Sequence, residues 1–283
     1  MIYLLLSIAS STLILVLFKL LSKYDINTLQ VIVLNYVVAC ICGSIFYDGQ
    51  IKPLEILNSE WFIVAFALGF LFIGVFNVMA LTAQNNGLSV ASVASKMSVI
   101  IPILFGIFFY HESVGVQKIT GITLALIAVY LTSLKSKDNT IITKSIYLPI
   151  LLFLGTGIID TSSNHFAPEG EMELFLSAIF GVAGVVGLIL LSYKSIKQKN
   201  PFIVKSIPFG IALGIINYGS MYFLLKALRV DGFESSSVFT INSVVIVAIS
   251  TLIGLLLFKE RISNKNWIGI LIAIVSIILV TLT

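Results

Sequence analysis

One lysine stands in the middle of a long apolar run and is the residue most suited to chemistry. Lys96 lies within the stretch SVASVASKMSVIIP, where Ser89, Ser92 and Lys96 fall on one face of a helix. A charge at the centre of a bilayer costs roughly 2.5–3.5 kcal/mol on insertion scales, so it normally faces a cavity or a partner. Two interpretations follow. Lys96 binds an anionic group or exchanges a proton in a cavity, or it is satisfied by nearby oxygens and serves only packing.

Other polar side chains are scattered through the apolar runs and could line the same cavity. A buried amide needs partners at both of its ends, so these residues should face other helices or water. In the ninth run, the small residues Ser236, Thr240 and Ser243 share one helix face, and Asn242 lies beside them. For the three hydroxyl residues, close helix packing is the favoured interpretation. The remaining candidates for binding a substrate are Asn35, Tyr36, Asn77, Asn217 and Tyr218.

The acidic residues fall into two groups. Glu112 and Glu260 precede apolar runs, and a carboxylate at a helix N-terminus is explained as a structural cap. Asp160 and His165 are assigned to the connection after the sixth apolar run, as a candidate gate or site of proton access. No spacing matches a metal site, so no metal is expected. No carboxylate is assigned to the middle of a run, which disfavours an exchanger of cations for protons.

These residues must be positioned by membrane-spanning helices. Apolar residues make up 58% of the 283 positions and charged residues 11%, against about 25% charged in a soluble domain. A spanning helix needs roughly 20 apolar residues, and ten would fit the chain. This composition excludes a soluble enzyme, a disordered chain and a nucleic-acid-binding domain. It predicts an all-α membrane protein with spans at about 2–21, 28–47, 60–82, 88–110, 116–134, 145–163, 172–193, 203–227, 235–258 and 266–283.

The sequence also contains an internal repeat. Residues 105–135 align with residues 253–283, and the shared residues include the pairs Gly106/Gly254, Glu112/Glu260 and Gly121/Gly269. One copy closes the fifth span and the other closes the tenth. A repeat of five helices crosses the membrane an odd number of times, so the second half must be inverted relative to the first. Such inverted repeats are typical of secondary transporters, whose site lies near the midplane between halves.

Two five-helix halves, each with a glutamate between its last two helices, resemble a known family. The segments Tyr110-His111-Glu112-Ser113 and Phe258-Lys259-Glu260-Arg261 carry the resemblance, which is to the EamA type of the drug/metabolite transporter superfamily. It implies repeats at residues 1–135 and 145–283. It also implies efflux or exchange of small metabolites, such as amino acids, by alternating access, and it identifies no substrate.

The predicted function is secondary transport of a small polar metabolite, plausibly an amino acid or an organic anion, with a central site near Lys96. The alternative is a non-transport membrane subunit or lipid-handling protein in which Lys96 is only an assembly contact. The sequence has no phosphate-binding loop and no acid/base cluster within the spans, so we expect no enzyme activity and no cofactor. Expected partners are the lipid bilayer and a small-molecule substrate, without nucleic acid. A coupling proton or a counter-substrate stays open.

The orientation in the membrane is predicted differently by two arguments. The family resemblance implies that both termini are cytoplasmic; in a prokaryote the membrane would be the cytoplasmic one. The connections that follow odd-numbered spans, however, hold twelve lysines and arginines, and the opposite set holds only Lys52, Lys118, Lys226 and Arg229. Because basic residues in short loops favour the cytoplasm, this count places the termini outside. We follow the charge count.

Overall fold

A computed structural model describes residues 2–109, 115–133, 147–168, 170–198, 203–230, 235–260 and 262–281. Helices and short turns account for these residues. The described helices are, in chain order, α1 (Ile2–Lys23), α2 (Thr28–Phe46), α3 (Pro53–Leu57), α4 (Phe62–Asn85), α5 (Leu88–Met97), α6 (Ile100–Phe109), α7 (Val116–Ser133), α8 (Tyr147–Phe166), α9 (Met172–Gln198), α10 (Ser206–Leu228), α11 (Ser235–Leu256) and α12 (Asn264–Thr281).

The chain crosses the membrane ten times, and the fourth crossing is formed by two helices, α5 and α6. The single helix predicted for this span is therefore wrong: the chain turns at Ser98 and Val99 before α6 begins. Pro102 lies in the first turn of α6 and has no N–H, so the carbonyl of Ser98 cannot receive the usual helical bond from it. That carbonyl instead accepts the N–H of Ile101 at 2.9 Å. The break falls directly after Lys96.

Hydropathy separates the crossings into two groups. Judged by length and composition alone, five of the described helices are long and apolar enough to cross a membrane: Ile2–Lys23, Thr28–Phe46, Phe62–Asn85, Met172–Lys197 and Ser206–Leu228. Four other crossings contain shorter apolar helices, and α8 carries the polar run Asp160-Thr161-Ser162-Ser163-Asn164 near its end. Of these less apolar crossings, α5, α8 and α11 turn polar side chains toward the interior of the protein. The chain is an integral membrane protein.

Two faces of the protein are defined by the ends of the helices. The terminal face contains the start of α1 and the ends of α2, α6, α8 and α10. The basic face contains the end of α1 and the ends of α4, α7, α9 and α11, and seven of the twelve basic residues counted above lie there among the residues that the structure describes. Both faces hold contacts between elements far apart in sequence: Trp61 donates to Glu171 on the terminal face, and Lys19 pairs with Glu260 on the basic face.

The two halves pack against each other in a symmetric pattern. The equivalent helices of the two halves are α1 and α8, α2 and α9, and α4 and α10. α1 contacts α10, and in the same way α8 contacts α4. α2 also contacts α10, and in the same way α9 contacts α4. The pairs α5 with α11, α2 with α9, and α7 with α12 join equivalent helices of the two halves. The fold is thus two five-helix repeats in opposite orientation, as predicted. Equivalent helices that touch one another place the boundary between the repeats at the centre of the protein.

Glycines allow the halves to approach closely, because lipid offers no hydrophobic drive for helix association and backbone proximity takes its place. A Cβ at Gly210 of α10 would lie 2.4 Å from the Cβ of Leu34, and one at Gly214 would lie 2.6 Å from the Cβ of Val38. Both neighbours belong to α2. Small residues four positions apart, as Gly210 and Gly214 are in the sequence, predict such a close approach, and the structure confirms it.

Candidate functional site: a charged cavity between the repeats

A cavity of about 110 Å³ lies between the repeats, close to the middle of the crossings. Its walls come from α1, α4 and the α5–α6 break in the first half, and from α8, α10 and α11 in the second. Apolar side chains form much of the surface, including Phe72, Phe76 and Met79 from α4. The remainder is polar. Both repeats therefore contribute to one site, and a relative movement of the halves would change access to it.

Lys96 lies on the wall of this cavity, in the last turn of α5. The end of a helix leaves carbonyl oxygens without intrahelical partners and carries the negative end of the helix dipole, which stabilises a cation there. Ser92, one turn earlier, also lines the cavity and donates to the carbonyl of Ser89 at 2.9 Å. The helix break thus creates a favourable position for an ammonium group within the membrane.

Asp160 lines the same cavity as Lys96, and this corrects two parts of the sequence analysis. Asp160 and His165 were assigned to a connection, but α8 continues to Phe166 and includes both residues. The expectation that no carboxylate lies within a span is also wrong. The polar sequence around Asp160 resembled a loop because the helix faces a cavity there. His165 is exposed near the end of α8, where its ring stands 5.7 Å from that of Phe105.

Lys96 and Asp160 are the only ionisable side chains among the described residues that line the cavity. Their charges interact electrostatically, but they form no direct ion pair within 4.0 Å. Asp160 also interacts with the hydroxyl of Ser98, in the turn between α5 and α6. The cavity therefore presents one positive and one negative group, one from each half, with space between them.

The wall formed by α10 and α11 presents amides and hydroxyls. Asn217 is 2% exposed, and its Nδ2 has no hydrogen-bond partner. Thr156 of α8 likewise leaves its Oγ1 unpaired. Asn242 is held in place because its Oδ1 accepts a bond of 3.4 Å from Ser7. Buried polar atoms are nearly always paired in folded proteins, so unpaired donors on a cavity wall are available to a ligand or to water.

Four of the sequence-predicted binding residues do not reach the cavity. The hydroxyl of Tyr36 donates to the carbonyl of Phe72 at 2.7 Å. The Nδ2 of Asn35 donates to the carbonyl of Ile32, and that of Asn77 to the carbonyl of Ile73. Tyr218 stacks on Phe46 with ring centroids 5.7 Å apart. These side chains stabilise helices and helix contacts in this structure, whereas Lys96, Ser92, Asn217 and Asn242 lie together at the cavity.

The structure describes only some of the remaining candidate residues. Ser243 lines the cavity. The side chains of Ser236 and Thr240, and the whole of Glu112, lie outside the described residues. The sequence analysis missed five polar cavity residues, namely Ser11, Ser95, Ser98, Thr156 and Ser220. A single hydroxyl in an apolar helix satisfies itself through its own backbone as readily as it binds a ligand, so the sequence carried no signal for them.

Glu260 acts as a cap, but on a different helix from the one predicted. It was expected to cap the helix that follows it, α12, which begins at Asn264. Instead its two carboxylate oxygens accept the N–H of Leu88, at 3.0 and 3.1 Å, at the start of α5. The carboxylate also pairs with Lys19 at 3.0 Å. The second half thereby caps a helix of the first half, on the basic face below the cavity.

A metal site finds no support in the described part of the chain. No group of three or more histidines, cysteines, aspartates or glutamates lies close enough to hold an ion there. Cys40 and Cys42 are free thiols, and the sulfur of Cys40 lies 3.5 Å from the hydroxyl of Ser177 at the contact between α2 and α9.

Comparisons with known proteins agree with this architecture. The EamA-like transporter family matches the chain twice, over residues 1–134 and 143–282. An uncharacterized protein of Haemophilus influenzae is 30% identical over 271 residues, covering 93% of this chain and 91% of the relative. A protein crystal structure with 14% sequence identity superposes with a TM-score of 0.61, covering 99% of this chain and 97% of the other. This last likeness shows the fold alone.

The fold and the cavity define a membrane protein of two inverted repeats around a central polar site, the class that includes secondary transporters. The chain belongs to the EamA-like transporter family. The members of this family are transporters rather than enzymes.

Proposed function

We propose that this protein is a secondary transporter of a small polar metabolite that carries an anionic group, such as an amino acid or an organic acid. The metabolite binds in the central cavity, with its anionic group at Lys96. The two repeats move relative to each other and expose the cavity alternately to the two sides of the membrane. A transmembrane gradient, rather than ATP, supplies the free energy.

The observation that carries this proposal is the position of Lys96. A lysine that served only packing would be expected to bond with a carbonyl or a carboxylate. Lys96 instead lies at a helix break, lines a cavity shared by both halves and makes no ion pair within 4.0 Å with any carboxylate that the structure describes. Asn217 and Thr156 present unpaired polar atoms to the same space. A polar ligand with a negative group would satisfy these side chains together.

The size of the cavity limits the substrate. An apolar cavity of about 150 Å³ binds benzene, which has six heavy atoms. A space of about 110 Å³ is smaller, so it suits a metabolite of about six heavy atoms or fewer, or a slightly larger one if the walls adjust. The apolar side chains of Phe72, Phe76 and Met79 would contact its carbon atoms. Amino acids and short carboxylic acids fit this description, whereas large drugs do not.

A thermal-shift screen of the detergent-solubilised protein tests this proposal. The panel consists of the twenty L-amino acids and a set of mono- and dicarboxylic acids, each added singly. A ligand at 100 times its Kd stabilises the native state by about 2.7 kcal/mol. We expect at least one panel member to raise Tm by several degrees, and the same compound to be transported by proteoliposomes.

The matched variants are Lys96→Gln and Lys96→Arg. Lys96→Gln should be as abundant as the parent, because it removes a charge from the membrane, and it should lose the thermal shift and the transport. Lys96→Arg should restore little, since a planar guanidinium differs in shape from an ammonium. Equal ligand response in Lys96→Gln would contradict the proposal. Low abundance of that variant, with no ligand response in the parent, would favour an assembly role for Lys96.

A further inference from the structure

The two charges of the cavity come from different halves of the protein. Lys96 belongs to the first repeat and Asp160 to the second, and they are the only ionisable groups among the described lining residues. The repeat equivalent of Lys96 is Val244, so the lysine is not duplicated. The negative charge of Asp160 balances the single positive charge of Lys96, so the empty cavity is neutral overall.

This neutrality matters when the cavity closes. During alternating access the empty protein must pass through a state in which the cavity has little contact with bulk water. A lone ammonium loses its hydration in that state, and its desolvation opposes closure. An opposite charge in the same cavity offsets the loss, because the attraction between two charges strengthens as the local dielectric falls.

We propose that Asp160 compensates the charge of Lys96 when no substrate is bound, so that the empty protein can change its access from one side to the other. This inference rests on the proposed function. When a substrate binds, its anionic group takes over the compensation at Lys96, and Asp160 is free to face a cationic group or water. A carrier that returns empty performs net transport. A carrier with an uncompensated lysine would return only with another anion bound, and would therefore perform obligatory exchange.

The contacts of Asp160 fit this role. The residue interacts with Ser98 in the turn that follows α5, and both line the cavity, so Asp160 faces the break in the fourth crossing. The absence of a direct ion pair leaves space for a ligand between the charges. Two simpler roles for Asp160 make different predictions: a group that only binds substrate has no effect on the empty protein, and a group that only positions the turn is not rescued by neutralising Lys96.

A cysteine reporter in the substrate-free protein separates these roles. Cys40 and Cys42 are replaced by alanine, and Ser11, a half-buried cavity residue, is replaced by cysteine. Right-side-out and inside-out membrane vesicles, washed free of small molecules, are treated with a membrane-impermeant maleimide. The rate of labelling from each side measures how often the empty cavity opens to that side. No substrate needs to be known.

We expect the reporter protein to be labelled from both sides. Asp160→Asn should lower the labelling rate from one side at least tenfold and leave the other side unchanged or faster. Lys96→Gln combined with Asp160→Asn should restore labelling from both sides, because the cavity is again neutral. The control is Glu173→Gln, which neutralises one partner of the Lys226–Glu173 pair, 3.7 Å apart and outside the cavity. It should label like the parent.

The outcomes distinguish this inference from the proposed function. Two-sided labelling of Asp160→Asn at the parent's rates would overturn the inference and leave the proposed function intact. A defect in Asp160→Asn that the double variant does not repair would also overturn it, in favour of a structural role. Labelling of the reporter parent from one side only would contradict alternating access itself, and with it the proposed function.

Discussion

Single residues connect the two repeats on the basic face. Glu260 is 12% exposed and pairs with Lys19, which is 21% exposed and also donates to the carbonyl of Ala83 at 3.3 Å. Gly87, with φ +102°, brings the chain close to this carboxylate: a Cβ at that position would lie 2.8 Å from its Oε2. The positive φ favours glycine there, and a larger residue would also displace the carboxylate. Glu260, Lys19 and Leu88 therefore form one contact between the two halves on this face.

Glu260→Ala should destabilise the protein more than Glu260→Gln. Alanine leaves the Leu88 N–H and the Lys19 ammonium without their partner, whereas glutamine can still accept the N–H bond. Breaking a partly buried pair of this kind costs about 2 kcal/mol, less than the 3–5 kcal/mol of a fully buried one. We expect Tm in detergent to fall by about 5 °C for the alanine variant and by less for glutamine.

The control for this prediction is Glu55→Gln. It removes one partner of the exposed Lys52–Glu55 pair, 2.8 Å apart, and should leave Tm unchanged because exposed pairs are screened by water. If Glu260→Gln and Glu260→Ala both have the same Tm as the parent, the contact contributes nothing to stability.

At the scale of elements, helix contacts depend on glycines whose surroundings differ. Gly214 of α10 faces α2, where a Cβ would meet the Cβ of Val38 at 2.6 Å and the carbonyl oxygen of Asn35 at 2.7 Å. Gly74 of α4 has no atom within 4 Å of an added Cβ. The same substitution at these two positions therefore tests packing separately from helix propensity.

Gly214→Ala should lower stability, because backbone on both helices must move to admit the methyl group; overpacking of this kind typically costs about 1–3 kcal/mol. Gly74→Ala should be neutral or stabilising by up to about 1 kcal/mol, since alanine favours the helix and meets no neighbour. Tm of the two purified variants measures the difference. A fall of equal size in both would show that helix propensity or lipid contacts, and not the contact between α2 and α10, determine the result.

At the scale of the whole molecule, charge is distributed unequally between the two faces. By sequence, the connections that follow odd-numbered crossings hold twelve of the seventeen lysines and arginines, among them Lys23, Lys197 and Lys205 on the basic face. The terminal face carries four, together with Glu171 and Glu173 at the start of α9. Lys96 is the remaining one. Since basic residues are retained in the cytoplasm, this asymmetry favours a cytoplasmic basic face and termini on the outside.

Cysteine labelling tests the orientation. In a chain without Cys40 and Cys42, Lys197→Cys should be protected from an impermeant maleimide in intact cells and should react after lysis. Lys52→Cys, on the terminal face, should react in intact cells. The reverse result would establish the orientation implied by the family resemblance, with both termini in the cytoplasm.

The sequence by itself determined the class of fold, because a bilayer restricts a spanning chain strongly. Backbone groups in lipid must bond within their own helix, so apolar runs of about 20 residues predict helices with little ambiguity. The inverted arrangement followed from the odd number of spans in each copy of the repeat. The glycine contacts at Gly210 and Gly214 and the position of Lys96 within a span also followed from local sequence.

Only the tertiary structure decided which polar residues share the cavity. Asn35 and Asn217 look equivalent in sequence, yet Asn35 lies away from the cavity, with its Nδ2 bonded to the carbonyl of Ile32 in its own helix, whereas Asn217 presents an unpaired Nδ2 at the cavity wall. Asp160 looked like a loop residue because its helix faces a cavity, and Glu260 looked like the cap of its own helix. Lys96 and Asp160 share a cavity, and Glu260 bonds with Leu88, across more than 60 residues of sequence. Such relations depend on how helices pack, and hydropathy carries no information about that.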